Sequence, residues 1–166
     1  MKHVFLITSI ICVAGLLPMA SSQAGQEKMK LEPNRAIVRG YMNEIINKGN
    51  FDAFDGYFSE RVLFNNLPGL KQGLASMVRS MRGAFPDFHL TIEDQIAEGD
   101  KVITRMIFHG THQGDYRGIA PTGKQIKYSG IAIDRIADGK VVEMWHVADT
   151  CAILQQIGVT AAPPKK

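Results

Sequence analysis

The spacing of apolar residues changes at Asp87, and this change constrains the fold more than any other feature of the sequence. Ahead of it, apolar side chains recur three or four residues apart, as in Ile37, Tyr41 and Ile45, which predicts helices. Beyond it they alternate, which predicts strands. Helices followed by a run of strands indicate an α+β fold with helices on one face of an antiparallel sheet. The predicted helices cover residues 33–48, 51–58, 70–82 and 151–157, and the predicted strands cover 61–65, 88–98, 101–113, 124–137 and 140–148.

Two short turns support this order of elements. Residues 98–101 (EGDK) and 137–140 (ADGK) are rich in Gly and Asp, which tight turns between antiparallel strands require. The strands on either side of each turn should therefore pair as hairpins. Residues 114–123 form a longer loop between the two hairpins.

The N-terminus has the pattern of a secretory signal. Lys2 and His3 precede an apolar run over residues 4–17, and small residues follow at 20–24, which predicts cleavage after Ala24. The alternative is a membrane anchor, but the run is shorter than the roughly 20 residues that a spanning helix needs. We predict a signal peptide (1–24), a linker (25–31), one domain (32–160) and a disordered tail (161–166). The mature protein would be secreted or periplasmic, with no membrane segment left.

Charge and composition restrict the partners. The chain is 45% hydrophobic and 21% charged, as is usual for a globular protein, and its net charge of +3 becomes +2 once Lys2 is removed. No basic stripe interleaved with aromatic residues is present, so no nucleic-acid partner is predicted. Cleavage also removes Cys12 and leaves Cys151, which is read as a small buried hydrophobe, with a nucleophile or an intermolecular bridge as alternatives.

The sequence offers no pattern for metal or phosphate chemistry. It has no glycine-rich phosphate loop and no G-x-S-x-G nucleophile motif. His109 and His112 are three residues apart on an extended segment, which directs them to opposite faces. We therefore predict no metal site.

The strand at 140–148 has an unusual face. Strict alternation places Glu143, Trp145 and Asp149 together, while His146 falls on the opposite face and is read as surface or a second layer. In a concave, apolar setting a carboxylate gains a raised pKa and can act as a general acid or base. This makes Asp149 the first catalytic candidate and Glu143 the second. The alternatives are that Asp149 caps the following helix and that Glu143 pairs with a basic residue on a neighbouring strand.

Three further polar residues are candidates for a ligand pocket. Asp134 shares a predicted strand face with Tyr128 and Ala132, so it either lines a cavity or marks the wet face of the strand. Tyr41 and Asn65 lie next to predicted apolar faces. They would either orient a ligand or be satisfied by the nearby backbone.

Several short segments together resemble one family. They are residues 84–88 (AFPDF), 98–102 (EGDKV), 110–114 (GTHQG), 121–124 (PTGK), 138–145 (DGKVVEMW), Asp149 and 155–158 (QQIG). In this order and spacing they resemble the SnoaL-like polyketide cyclase, or ester cyclase, family over nearly the whole mature chain. Where that family often has a histidine ahead of the Asp-Gly turn, this chain has Asp134 or Arg135.

The resemblance implies a nuclear-transport-factor-2-like cone, in which helices cross a strongly curved antiparallel sheet and enclose a pocket. It also implies a homodimer and an aldol-type cyclisation that needs neither metal nor cofactor, with Asp149 as the acid and base. Trp145 would then supply an apolar wall, and Tyr41 or Asn65 would steady an oxyanion. We expect a protein that binds a small, largely apolar carbonyl compound and catalyses its cyclisation or isomerisation. The alternative is a non-catalytic ligand-binding or dimerisation module.

Overall fold

The computed structural model describes residues 20–159, of which the side chains are described from residue 31, with those of residues 69 and 70 omitted. Its helices are α1 (Ala20–Tyr41), α2 (Phe54–Tyr57), α3 (Lys71–Ala84) and α4 (Thr150–Ile157), with a π-helical turn over Met42–Asn47 and a 3-10 turn over Phe51–Ala53. Its strands are β1 (Phe58–Phe64), β2 (Leu67–Leu70), β3 (His89–Glu98), β4 (Lys101–Thr111), β5 (Gln125–Ala137) and β6 (Lys140–Ala148).

The six strands form one sheet in the order β2-β1-β6-β5-β4-β3. All neighbours are antiparallel except β1 and β6, which are parallel, so the sheet is mixed and not wholly antiparallel as predicted. The parallel pair arises because β1 comes from the N-terminal half and inserts beside the last strand. The predicted α+β class, with helices packed on one face of the sheet, is confirmed.

The two predicted hairpins are present. Strand β3 pairs with β4, and β5 pairs with β6, both antiparallel. Asp138 and Gly139 have positive φ angles of 50° and 74°, which is the conformation that a two-residue hairpin turn requires.

The N-terminal helix begins earlier than the sequence predicted. It runs from Ala20, so Pro33 lies inside it and not in its first turn, and the residues read as a linker are helical. Most residues at 20–32 are good helix formers, which offsets the cost of a proline inside the helix. The apolar run of the predicted signal lies outside the described residues, and export stays a prediction. Within residues 20–159, no helix is long and apolar enough to span a bilayer.

Strand β6 contains an irregularity that the sequence did not reveal. Its register against β5 shifts between Arg135 and Ile136, so Val142 is an extra residue. From that point the alternation is reversed, and Met144 and His146 join Val141 on the face that looks toward the helices.

The opposite, outer face of the sheet is partly apolar. Ile103, Ile131 and Val147 are 39%, 49% and 76% exposed, and none of the described helices covers them. Cys151 is also exposed, which corrects its prediction as a buried residue. In α4 the buried positions are Ile153 and Ile157, and Cys151 lies on the other side of that helix.

Candidate functional site

A cavity of about 450 Å³ lies between the inner face of the sheet and the helices. Its wall is mainly aromatic, aliphatic and methionine side chains from the end of α1, the π-helical turn, α3, β4, β5, β6 and α4. Five methionines contribute to it: Met42, Met77, Met81, Met106 and Met144. Their flexible thioethers fill irregular space and adapt to ligands of different shape.

A tyrosine of the cavity wall is hydrogen-bonded to a carboxyl group buried behind it. Tyr41, the last residue of α1, lines the cavity, and its hydroxyl donates to both carboxyl oxygens of Asp134 at 3.3 and 3.1 Å. Asp134 is 0% exposed and has Met144 opposite it on β6. The structure therefore excludes the alternative in which Asp134 lies on a solvent-exposed face of its strand.

Burial strongly perturbs both groups. It raises the pKa of Asp134 from 3.8 to about 7, and the hydrogen bond from Tyr41 offsets only part of this effect. Burial, followed by the negative charge of Asp134, raises the pKa of Tyr41 well above its usual value. Asp134 therefore gains or loses its proton near neutrality, the range in which general acid–base catalysis is efficient.

His146 also lines the cavity, contrary to its prediction as surface or second layer. It lies opposite Ala132, stacks edge-on against Phe108, and its buried Nε2 atom has no hydrogen-bond partner in the described part of the chain. Burial lowers the pKa of the imidazole, so the ring is neutral at pH 7. The change of face follows from the extra residue Val142. Gly130 leaves room for the ring, since a Cβ atom there would lie 3.3 Å from Nε2.

Asn65 borders the cavity, but its amide is engaged by the main chain. It accepts from the backbone nitrogen of His146 at 2.7 Å and donates to the carbonyl oxygen of the same residue at 3.1 Å. Asn65 and Asn66 both have positive φ angles and form the turn between β1 and β2. Asn65 thus holds the strand that carries His146, as in the alternative that the nearby backbone satisfies its side chain.

Trp145 and Glu143 lie outside the cavity. The Trp145 ring nitrogen donates to Asn66 Oδ1 at 2.9 Å, and Glu143 forms an ion pair with Arg135 at 2.9 Å. Both belong to the outer face because of the irregularity in β6. Trp145 therefore supplies no wall for the pocket, and Glu143 follows the alternative reading of a cross-strand ion pair.

Asp149 is the N-cap of α4. Its Oδ1 atom accepts from the backbone nitrogen of Ala152 at 3.1 Å, and its side chain is exposed and absent from the cavity wall. An aspartate at the residue before a helix satisfies donors that the first turn leaves free. The structure thus places Asp149 in its alternative role, and the carboxyl group that contacts a residue of the cavity wall, Tyr41, is that of Asp134.

One signal in the sequence could have identified Asp134. In β5 the inward positions are otherwise Ile126, Tyr128, Gly130, Ala132 and Ile136, so a carboxylate interrupts an apolar series. No signal of this kind marks His146, because the extra residue in β6 is invisible in the sequence. Within residues 20–159, no group of three or more His, Cys, Asp or Glu side chains could hold a metal ion.

A curved sheet covered by helices and enclosing an apolar cavity defines the nuclear-transport-factor-2-like class of folds. The family model of SnoaL-like polyketide cyclases matches residues 36–157, and the chain belongs to this family. No curated protein matches the sequence.

Three solved structures illustrate the similarity. IdmH from Streptomyces antibioticus, a proposed polyketide cyclase, is 25% identical with a TM-score of 0.69, over 76% of this chain and 99% of its own. AclR from Streptomyces galilaeus, a proposed hydroxylase, is 26% identical with a TM-score of 0.71, over 81% and 87%. A proposed polyketide cyclase from Acidithiobacillus ferrooxidans is 26% identical with a TM-score of 0.68, over 78% and 96%.

Proposed function

We propose that this protein binds a small, largely apolar carbonyl compound in its cavity and moves a proton on it, as in aldol-type cyclisation or isomerisation. The observation that carries the proposal is the buried Tyr41–Asp134 pair beside a mainly apolar cavity. Proteins of comparable similarity are described as a cyclase and as a hydroxylase, so the type of reaction is argued from the residues of this chain.

The proposed chemistry is the formation of an enolate. The phenol oxygen of Tyr41 takes the proton next to the ligand carbonyl, while its own proton passes to the carboxylate of Asp134. The electron pair of the broken C–H bond moves onto the carbonyl oxygen. The neutral imidazole of His146, which lines the cavity, donates a hydrogen bond to that oxygen from its N–H group. Tyr41 and His146 are the catalytic residues of this proposal, and Asp134 acts through Tyr41.

Exchange of a ketone α-proton tests the proposal. β-Tetralone, a small aryl ketone, is incubated with the protein in heavy water, and its α-deuteration is followed by NMR against a buffer blank. We expect exchange above the blank, reduced roughly 100-fold or more in Tyr41→Phe and Asp134→Asn, since each loses the proton acceptor.

Asp149→Asn is the matched control. It makes the same chemical change in a carboxylate that caps α4, and it should retain the exchange rate of the wild type. Loss of exchange in Asp149→Asn alone would contradict the assignment to Asp134 and return the role to Asp149.

A non-catalytic ligand-binding module is the second candidate. The placement of Asp149 favours it, because the carboxylate that resembles the family's catalytic aspartate is used as a helix cap. In this case β-tetralone would raise the melting temperature of the protein without any exchange above the blank.

We also propose that two copies pair through the outer face of the sheet. The exposed apolar side chains of Ile103, Ile131 and Val147 share this face: Ile131 lies opposite Val147, and Ile103 lies opposite Ile133, two residues along β5 from Ile131. We expect light scattering to report a dimer that Val147→Lys converts to a monomer, because a desolvated lysine in the interface costs several times the thermal energy. Val159→Lys, at another exposed apolar residue, is the control and should remain dimeric. A monomeric wild type at high concentration would contradict pairing.

A further inference from the structure

We propose that the ligand carries an anionic group, a carboxylate or sulfonate, which Arg117 binds at the mouth of the cavity. The inference rests on the proposed function, since it describes the other end of the same ligand. Among the residues that the structure describes, Arg117 is the only one in the cavity wall with a full positive charge, and it is exposed, whereas Tyr41 in the same wall is 3% exposed. A bound molecule would therefore place its apolar body inside and its charge at Arg117.

The guanidinium group of Arg117 is available for such a contact. No ion pair involving Arg117 occurs among residues 31–159, and its described aromatic contact is with the Tyr116 ring, 5.4 Å from the centroid. The nearby Asp115 carboxylate accepts instead from the backbone nitrogen of Gly118 at 3.0 Å. An unpaired guanidinium offers a planar set of donors that matches a carboxylate or sulfonate.

The backbone holds Arg117 in a conformation that arginine rarely adopts. Tyr116 and Ile119 exchange two backbone hydrogen bonds, at 3.1 and 3.0 Å, which makes Arg117 and Gly118 the centre of a two-residue turn. Their φ angles are 55° and 82°. Gly, Asn or Asp is favoured at both positions, so arginine here costs stability, and strained residues of this kind concentrate at ligand sites.

The base of this turn is firmly packed. Tyr116 is 5% exposed and lies edge-on to Phe85 and His112, with ring centroids 5.3 and 6.4 Å apart. His112 is itself buried and joined to Thr122 across the loop. The position of the Arg117 backbone at the mouth is therefore fixed, and only its side chain has to adjust to a ligand.

Two dyes that differ in charge test the proposal. Anilinonaphthalene sulfonate is anionic, and phenylnaphthylamine is its uncharged counterpart; both report binding by fluorescence. We expect Arg117→Gln to weaken binding of the sulfonate about tenfold, the usual value of a charge-assisted hydrogen bond, and to leave binding of the amine unchanged. Arg117→Lys should recover part of the loss, and high salt should weaken only the sulfonate.

Arg61→Gln, which removes an exposed arginine outside the cavity wall, is the control and should bind both dyes as the wild type does. Equal sulfonate affinity in Arg117→Gln and wild type would overturn the anion site and leave the cavity proposal standing. If the wild type binds neither dye, the cavity does not accept aryl ligands and both proposals fail.

Discussion

The free energy of unfolding of the wild type should fall by about 3 kcal/mol more than that of Asp134→Asn when the pH rises from 5 to 8. The reason is the buried carboxyl group, whose pKa rises to about 7 on folding because burial disfavours its charge. The folded state therefore holds this proton more tightly than the unfolded state does. The contribution of this proton to the free energy of unfolding is fully present below pH 3.8 and is lost as the pH rises through about 7. Asparagine has no such proton to lose.

Urea unfolding of both proteins at a series of pH values measures this difference. His146 has the opposite effect on the free energy of unfolding: because its pKa is lowered on folding, protonation at low pH destabilises the folded state. This effect is present in both proteins and cancels in the comparison. Parallel profiles for Asp134→Asn and wild type would show that Asp134 does not titrate as a buried acid.

Gly114→Ala should destabilise the protein by about 3 kcal/mol or more, or prevent folding. A Cβ atom at this position would overlap the carbonyl oxygen of Gly83 and lie 3.0 and 3.2 Å from the Gly83 carbonyl carbon and the Ala84 Cα atom. These are backbone atoms at the end of α3 and cannot rotate away. The backbone nitrogens of Gln113 and Gly114 also donate to the Ala84 carbonyl oxygen, at 3.0 and 2.9 Å, so any displacement breaks these bonds.

Gly73→Ala in α3 is the matched control. Nothing lies within 4 Å of its added Cβ atom, and alanine should stabilise the helix by about 0.5–1 kcal/mol. Thermal unfolding of the two variants beside the wild type separates these effects. A Gly114→Ala variant as stable as the wild type would mean that the loop is not packed against α3. It would also contradict the inference that packing of this loop fixes the position of the Arg117 backbone.

Most of the fold could be predicted from the sequence because the spacing of apolar residues distinguishes helices from strands and because turn residues mark where the elements end. The Asp138–Gly139 turn, for example, fixes the β5–β6 hairpin by local chemistry alone. The short strand β2 was missed, since its segment contains Pro68 and Gly69, which strands usually avoid. The parallel pairing of β1 with β6 depends on contacts across the whole chain, and no local pattern encodes it.

The site was harder to predict than the fold for a specific reason. Strict alternation in β6 assigned Trp145 and Glu143 to the cavity and His146 to the outside, and one extra residue at Val142 reverses all three positions. The choice between Asp149 and Asp134 needed the cap contact with Ala152, a distance that a sequence does not contain. Tyr41 was identified because it shares the apolar face of its helix, although its partner Asp134 is 93 residues away.

The unbroken pairing of β4 with β5 makes the interior of this protein open to redesign. Eleven residue pairs, from Lys101 with Arg135 to Thr111 with Gln125, run without a shift. Inward positions such as Phe108, Tyr128 and Ala132 can thus be substituted to reshape the cavity, while the residues that alternate with them leave the outer face of the sheet unchanged. Cavity-lining and surface residues could therefore be varied in separate libraries. This requires that no residue is inserted or deleted in either strand, because a one-residue shift would move the inward side chains to the outer face of the sheet.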